Sequence, residues 1–170
     1  MIRPLSCWNL FIQLSLRGKF RLQVITQSDV EAKLRPFAKE IFVSDVTADP
    51  GTVAYSVEVN NPEWLLNDHF PGVSIIQCFF QGAMLMFYEH DRHFDPQMSL
   101  FFAGGIKIKF LKPIFEGYQV VFTLTCERFV QNVLLFEGVC VNSNGEAYAK
   151  ASGSLSSKPR AEVMVQKSQT

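Results

Sequence analysis

Asn67 to Leu85, NDHFPGVSIIQCFFQGAML, decides how the rest of the chain is read. It opens in turn-forming residues, Asn67-Asp68 and then Pro71-Gly72 around His69, and passes straight into an apolar run that continues to about His90. From Val73 onward Ile75, Cys78, Phe79, Ala83, Leu85 and Phe87, with their neighbours, put apolar side chains on every face of a helix. A helix without a polar face has to be covered by other elements. One turn or so into it, where an acid would be looked for, stand Gln81, Gly82 and Ala83.

The flanks offer strands to do the covering. Upstream, AKEIFVSDVTADPGTVAYSVEV gives two extended runs around Asp49-Pro50-Gly51, a turn triplet whose proline presets φ and whose glycine accepts positive φ. Further back, Ser28 followed by Glu31 predicts a short capped helix over Ser28–Leu34. Residues 60–72, rich in Asn, Asp, Pro and Gly, read as a loop. Downstream, four strand-like runs start at Leu100, Tyr118, Asn132 and Glu146, broken at Glu116-Gly117, Gln131-Asn132 and Asn144-Gly145, the last a two-residue hairpin signal. Two strands before one buried helix and four after it predict an α+β fold, an antiparallel sheet curled around that helix. The division expected is a basic extension over 1–28, a domain over 29–156 and a polar, frayed tail over 157–170.

Composition narrows the function. The 170 residues suffice for one domain with a real core, and 16 Phe make that core aromatic. Sixteen basic residues balance 16 acidic ones, which argues against bulk nucleic-acid binding. The balance is uneven: Arg3, Arg17, Lys19 and Arg21 with no acid give residues 1–28 a charge of +4, leaving 12 basic against 16 acidic, or −4, elsewhere. Such a start could be an organellar targeting segment; the lack of a small-residue cleavage site favours a plain extension. No apolar run approaches the roughly 20 residues of a membrane span. Cys7, Cys78, Cys126 and Cys140 lack paired metal-ligand spacing and read as reduced thiols of a cytoplasm-like compartment. His90 and His93 sit three apart at the helix end, where a third metal ligand is missing and a capping or solvated role is expected.

HFPG directly before the covered helix, with RPF and FVSDV…DPG before it and FFAGGIKIKFLKPIFEGYQVVFTL and FEGVCVNSNGEAYAKASGSL after it, resembles the hot-dog fold β-hydroxyacyl-acyl carrier protein dehydratases over roughly residues 35–156. The resemblance implies interconversion of β-hydroxyacyl and trans-2-enoyl thioesters without metal or cofactor, in fatty-acid or polyketide-type synthesis. It implies His69 as the base, N–H donors for the thioester oxygen at the helix start, near Gly72, Gln77 and Cys78, and an acid donated across a dimer interface. That acid falls at Ala83 without a gap, or at Gly82 with one deletion, and neither can donate a proton.

Other residues are candidates for the missing part. Asp68, in an extended loop, would face away from His69, and Glu63 would have to fold back. Glu89 lies roughly 10 Å further along the helix. Gln81 can position a substrate but not exchange its proton. Cys78 reads as packing rather than as a nucleophile. Arg92, Lys107, Lys109 and Lys112 are candidates for docking an acidic carrier protein, and Phe79, Phe80 or Phe102 for lining an acyl tunnel. The readings left open are a dehydratase-like enzyme acting on an acyl carrier protein or coenzyme A thioester, a thioesterase or enoyl isomerase of the same fold, and a silent binder or heterodimer partner whose homologue supplies the acid.

Overall fold

The computed structural model describes residues 23–167. The basic, acid-free segment singled out above lies outside the described residues as far as residue 22, and Cys7 with it. Strand β1 (Gln23–Ile25) leads into helix α1 (Gln27–Leu34), then β2 (Ser44–Ala48), β3 (Thr52–Glu58), a one-turn 3₁₀ helix at Pro62–Trp64 and helix α2 (Gly72–His90). After it come β4 (Ser99–Phe110), β5 (Gln119–Val130), β6 (Val133–Val141), β7 (Ala147–Pro159) and helix α3 (Arg160–Lys167). The seven strands form one sheet in the order β1-β2-β3-β5-β6-β7-β4, antiparallel at every pairing. It curls around α2, as the apolar helix required.

Local chemistry explains the turns. Asp49 Oδ1 accepts from the N–H groups of Gly51 (2.6 Å) and Thr52 (2.8 Å), closing the expected β2–β3 hairpin. Between β5 and β6 the two-residue turn is Gln131-Asn132, with φ of 50° and 60°, the geometry that matches the twist of a hairpin. The Asn144-Gly145 signal belongs instead to a longer turn over 142–146, in which Asn142 Oδ1 accepts from the N–H groups of Asn144 and Glu146.

Three expectations change. A third strand, β1, precedes the helix and pairs with β2, so ordered structure begins within the segment read as an extension. The cap of α1 is Thr26, whose hydroxyl accepts from Asp29 N–H, not Ser28. Arg35–Phe37, which the resemblance aligned with the family's opening strand and turn, is a turn directly after α1. Strand β7 continues through Ser157 to Pro159, pairing there with Ser99, and α3 follows where a frayed tail was expected.

The core lies between α2 and the inner sheet face. Phe79, Leu85, Met86 and Phe87 of the helix pack with Val53, Tyr55, Phe122, Leu124 and Phe136 of the strands. The sheet does not close over one stripe of α2: Val73 is 62% exposed, Gln77 is exposed, and Ile76, Phe80 and Met84 are half-buried. Among the described residues no helix is long and apolar enough to cross a membrane.

Gln81, 3% exposed, ties the helix to the chain entering β2. Its Oε1 accepts from Phe42 N–H (3.0 Å) and its Nε2 donates to Glu40 O (2.7 Å). Gln81→Leu removes both bonds and strands the buried Phe42 N–H. It is expected to cost about 1–3 kcal/mol, read as a lower urea midpoint at unchanged slope.

Candidate functional site

His69 closes a two-residue hairpin of its own. Leu66 N–H donates to His69 O (2.9 Å) across Asn67 and Asp68, whose φ angles of 51° and 63° are left-handed. Asn and Asp tolerate that conformation better than other side chains, which is why this pair can stand here. Asp68 therefore occupies the exposed apex of a tight turn, and the alternation of an extended loop does not apply to it. On its other side His69 forms an antiparallel bridge with Phe115, and the next residue, Phe70, donates its N–H to Ile114 O (2.7 Å). The buried Phe70 ring packs edge-on against Phe42, with Trp64 beside it, and anchors the turn.

The imidazole is half-buried, and its Nδ1 lies 3.2 Å from Asn67 O. A carbonyl oxygen can only accept, so this bond places the proton on Nδ1 and leaves the Nε2 lone pair free.

Helix α2 begins immediately after. Pro71 is its N-cap, and the N–H groups of Ser74 and Ile75 both turn back to Pro71 O (3.0 and 3.2 Å). The N–H groups of Gly72 and Val73 have no helical acceptor, and no side chain among the described residues caps them. Gln77 and Cys78, expected among the donors, lie in the second turn, where their amides serve the helix itself. The Phe110 ring lies over Gly72, with Cζ 3.0 Å from where a Cβ would stand.

Both positions expected for an acid are sealed within the domain. A Cβ on Gly82 would lie 2.5 Å from Tyr55 Cε1 and 2.7 Å from Tyr55 Oη, and Ala83 is wholly buried in the core. Tyr55 Oη donates to Cys78 O (2.6 Å), so the phenol fills the space beside the helix. Gln81, held by Glu40 and Phe42, is a strut and not a substrate-positioning group. Phe79 belongs to the core rather than to a tunnel wall, whereas Phe80 is on the open stripe and Phe102 is exposed on β4. Glu89 pairs with Lys33 of α1 (3.6 Å). His90 stacks on Phe129 at 4.5 Å, its pKa lowered by burial, and His93 N–H donates to Asp91 Oδ1. No group of three or more metal-ligating side chains occurs among the described residues.

Cys78 and Cys140 are buried and Cys126 half-buried, all three as free thiols. Burial pushes Cys140 from 9.0 up to about 12, and burial with the neighbouring Cys140 pushes Cys78 well up, so Cys78 is no thiolate nucleophile at neutral pH. The folded values are raised, so the unfolded chain releases these protons first as pH rises. Stability is then expected to fall from about pH 9 upward, by about 1.4 kcal/mol per pH unit for each such group, until the folded value is passed. Denaturation midpoints between neutral pH and the alkaline range check this, with Cys140→Ala flattening the slope.

The four basic candidates do not form one patch. Lys107 and Lys109 lie on the outer sheet face, lining a shallow cavity of about 570 Å³ with Lys150, Thr123, Thr125 and Glu137. Lys112 is paired with Glu146. Arg92 lines a separate depression with Lys33 and Tyr88 past the C-terminal end of α2, about 27 Å along the helix axis from Gly72.

No family model matches the chain. It is 28% identical over 103 residues to a 3-hydroxyacyl-acyl-carrier-protein dehydratase, FabZ, of Burkholderia lata, an alignment covering 56% of this chain. The chain thus spans 64% of the length of that curated relative. A mutant thioesterase from Pseudomonas aeruginosa superposes with a TM-score of 0.62 at 10% identity, over 84% of this chain and 97% of the other. A hypothetical thioesterase of Streptococcus pneumoniae, solved with coenzyme A, gives 0.59 at 12% identity, over 78% and 96%. With its antiparallel sheet curled about one central helix, the chain has the hot-dog fold.

Proposed function

We propose that the protein acts on an acyl thioester as a dehydratase-like enzyme, interconverting β-hydroxyacyl and 2-enoyl forms with His69 as the base at the α-carbon. The observation that carries this reading is the His69 ring: its Nδ1 is held by Asn67 O, its Nε2 has no partner among the described residues, and two N–H groups that those residues leave uncapped follow within four residues. A thioester oxygen gaining negative charge suits Gly72 and Val73 N–H and the positive end of α2. The likeness to dehydratases supports the reaction, and the thioester carrier would be an acyl carrier protein or coenzyme A. Lys107 and Lys109 would then meet an acidic carrier without Arg92 and Lys112. The reaction needs no cofactor.

The exposed stripe of α2 and the edge strand β4 suit a second copy of the chain, or a homologue bringing the acid that Gly82 and Ala83 lack. Fatty-acid or polyketide-type synthesis in a reducing compartment is the setting such chemistry fits.

A second reading, thioester hydrolysis, is favoured by the thioesterases that share the fold. The same N–H groups would then face a tetrahedral oxyanion. Incubation with a 2-enoyl thioester, followed by mass spectrometry, separates the two: a hydrated thioester supports the first, free thiol with the double bond intact the second. An unchanged substrate removes both.

A further inference from the structure

The sheet has a second face, turned away from α2, which the reaction proposed at His69 does not use. Strand alternation says which side chains stand on it. On β6, Leu134, Phe136 and Cys140 are buried in the core, so Val133, Leu135, Glu137 and Val139 point outward. On β7, Ala149, Ala151 and Leu155 are buried, and Lys150, Ser152, Ser154, Ser156 and Lys158 stand on the outside. The pairings carry this face across four strands. Lys109, Lys150, Val139 and Thr123 make one row, and Lys107, Ser152, Glu137 and Thr125 the next. Past the β5 bulge Arg128 pairs with Leu135 and Val130 with Val133, while Val133 and Phe102 both pair with Ser156. The Lys158 ammonium lies 5.9 Å from the centre of the Phe102 ring.

Positive charge gathers on this face. Strands β4 to β7 carry Lys107, Lys109, Arg128, Lys150 and Lys158 against Glu127 and Glu137, five basic residues to two acidic ones, in a chain that is neutral as a whole. All five cations are exposed, and the two ion pairs among the described residues, Lys33–Glu89 and Lys112–Glu146, involve none of them. Lys109 and Lys150 are direct cross-strand neighbours, a like-charge placement that costs stability and that an anion relieves. With Lys107 they line the shallow cavity of about 570 Å³, beside the hydroxyls of Thr123, Thr125 and Ser152. The other end of the face is apolar: Phe102 on β4 and Val130, Val133 and Leu135 at the β5–β6 hairpin are 37–43% exposed.

The side chains indicate the partner. Four of the five cations are lysines and three of the four apolar groups are aliphatic. The centre of a protein interface instead favours arginine, tyrosine and tryptophan and is poor in lysine. A bilayer asks for no matched geometry, because lysines meet headgroup phosphates by charge alone and lay their stems along apolar surface. The face offers an area to match, about 27 Å along β7 from Lys150 to Lys158 and about 14 Å across the four strands. An acidic carrier protein meeting Lys107 and Lys109 accounts for only one end of it. We propose that this outer face seats the protein on an anionic lipid surface, with headgroup phosphates in the lysine-lined cavity and Phe102, Val133 and Leu135 at the acyl boundary. The association is peripheral and does not depend on the chemistry proposed at His69.

The test sediments the full chain with vesicles of phosphatidylcholine alone and of phosphatidylcholine mixed with phosphatidylglycerol, at low and high salt. Wild type is expected to bind the mixed vesicles and not the neutral ones, more weakly as salt rises. K107E/K150E should weaken binding by about tenfold or more. V133S/L135S should weaken it several-fold, with that loss persisting at high salt, while K39E/R92E, the same change of charge on other elements, binds as wild type does. All these positions are exposed, so melting midpoints near the wild-type value are expected throughout. Unchanged binding in K107E/K150E would assign the affinity to another basic segment, such as residues 1–28, and overturns the proposal. Equal weakening in K39E/R92E, or no sedimentation with either vesicle, also overturns it. Self-association that V133S/L135S abolishes, without vesicle binding, gives the face to a second copy of the chain instead.

Discussion

Gly82→Glu is expected to unfold the domain rather than install an acid. A side chain there starts 2.5 Å from Tyr55 Cε1, and the phenol cannot swing aside without breaking its 2.6 Å bond to Cys78 O and its stacking on Phe122. Overpacking of this kind costs about 1–3 kcal/mol. A carboxylate buried without a partner costs several kcal/mol more, against a total stability of about 5–15 kcal/mol for a typical domain. Gly82→Ala isolates the steric part and should lower stability by about 1–3 kcal/mol in the wild-type background and by much less when introduced into Tyr55→Ala, which is itself destabilised by loss of a buried ring. Denaturant midpoints of the two single variants and the double variant measure it. A Gly82→Glu protein as stable as wild type would show that this face of α2 is open.

His69→Ala should abolish turnover with little effect on folding. A positioned base contributes about 10²–10⁴-fold, and the half-buried imidazole makes one hydrogen bond among the described residues, within its own turn. Loss of that bond costs about 1 kcal/mol. The signature sought is therefore a fall in kcat of at least about a hundredfold with the melting midpoint nearly unchanged. His69→Gln, which keeps a hydrogen-bonding side chain but cannot serve as a base, should be as inactive as His69→Ala. Activity retained in His69→Gln would assign the ring a positioning role instead.

Much of the architecture was legible in the sequence because it follows from periodicity and turn chemistry. An apolar helix after Pro71-Gly72 had to be wrapped, and Asp49-Pro50-Gly51 had to turn. What escaped depends on which side of α2 the sheet leaves open, and a helix apolar all round does not reveal that. Gly82 and Ala83 read as vacant acid positions, yet they face the domain's own core, because Tyr55 comes from β3, more than twenty residues upstream. Gln81 read as a polar group in a site; its partners, Glu40 and Phe42, meet it only through tertiary folding. The break at Gln131-Asn132 was legible, but not that it is the two-residue hairpin turn, because neither residue is glycine. Lys107 and Lys109 did share a face, as strand alternation required, but Arg92 sits at the far end of α2. The bridge between Phe115 and His69, which joins two loops more than forty residues apart, could not be read from the sequence.

The measurement that bears most directly on the thioester reading is incubation of wild type and His69→Ala with a 2-enoyl thioester in D₂O, with the product resolved by mass spectrometry and NMR. A β-hydroxyacyl thioester carrying deuterium at C2, formed by wild type and not by His69→Ala, is the expected result. Unlabelled substrate recovered intact from wild type would contradict the account.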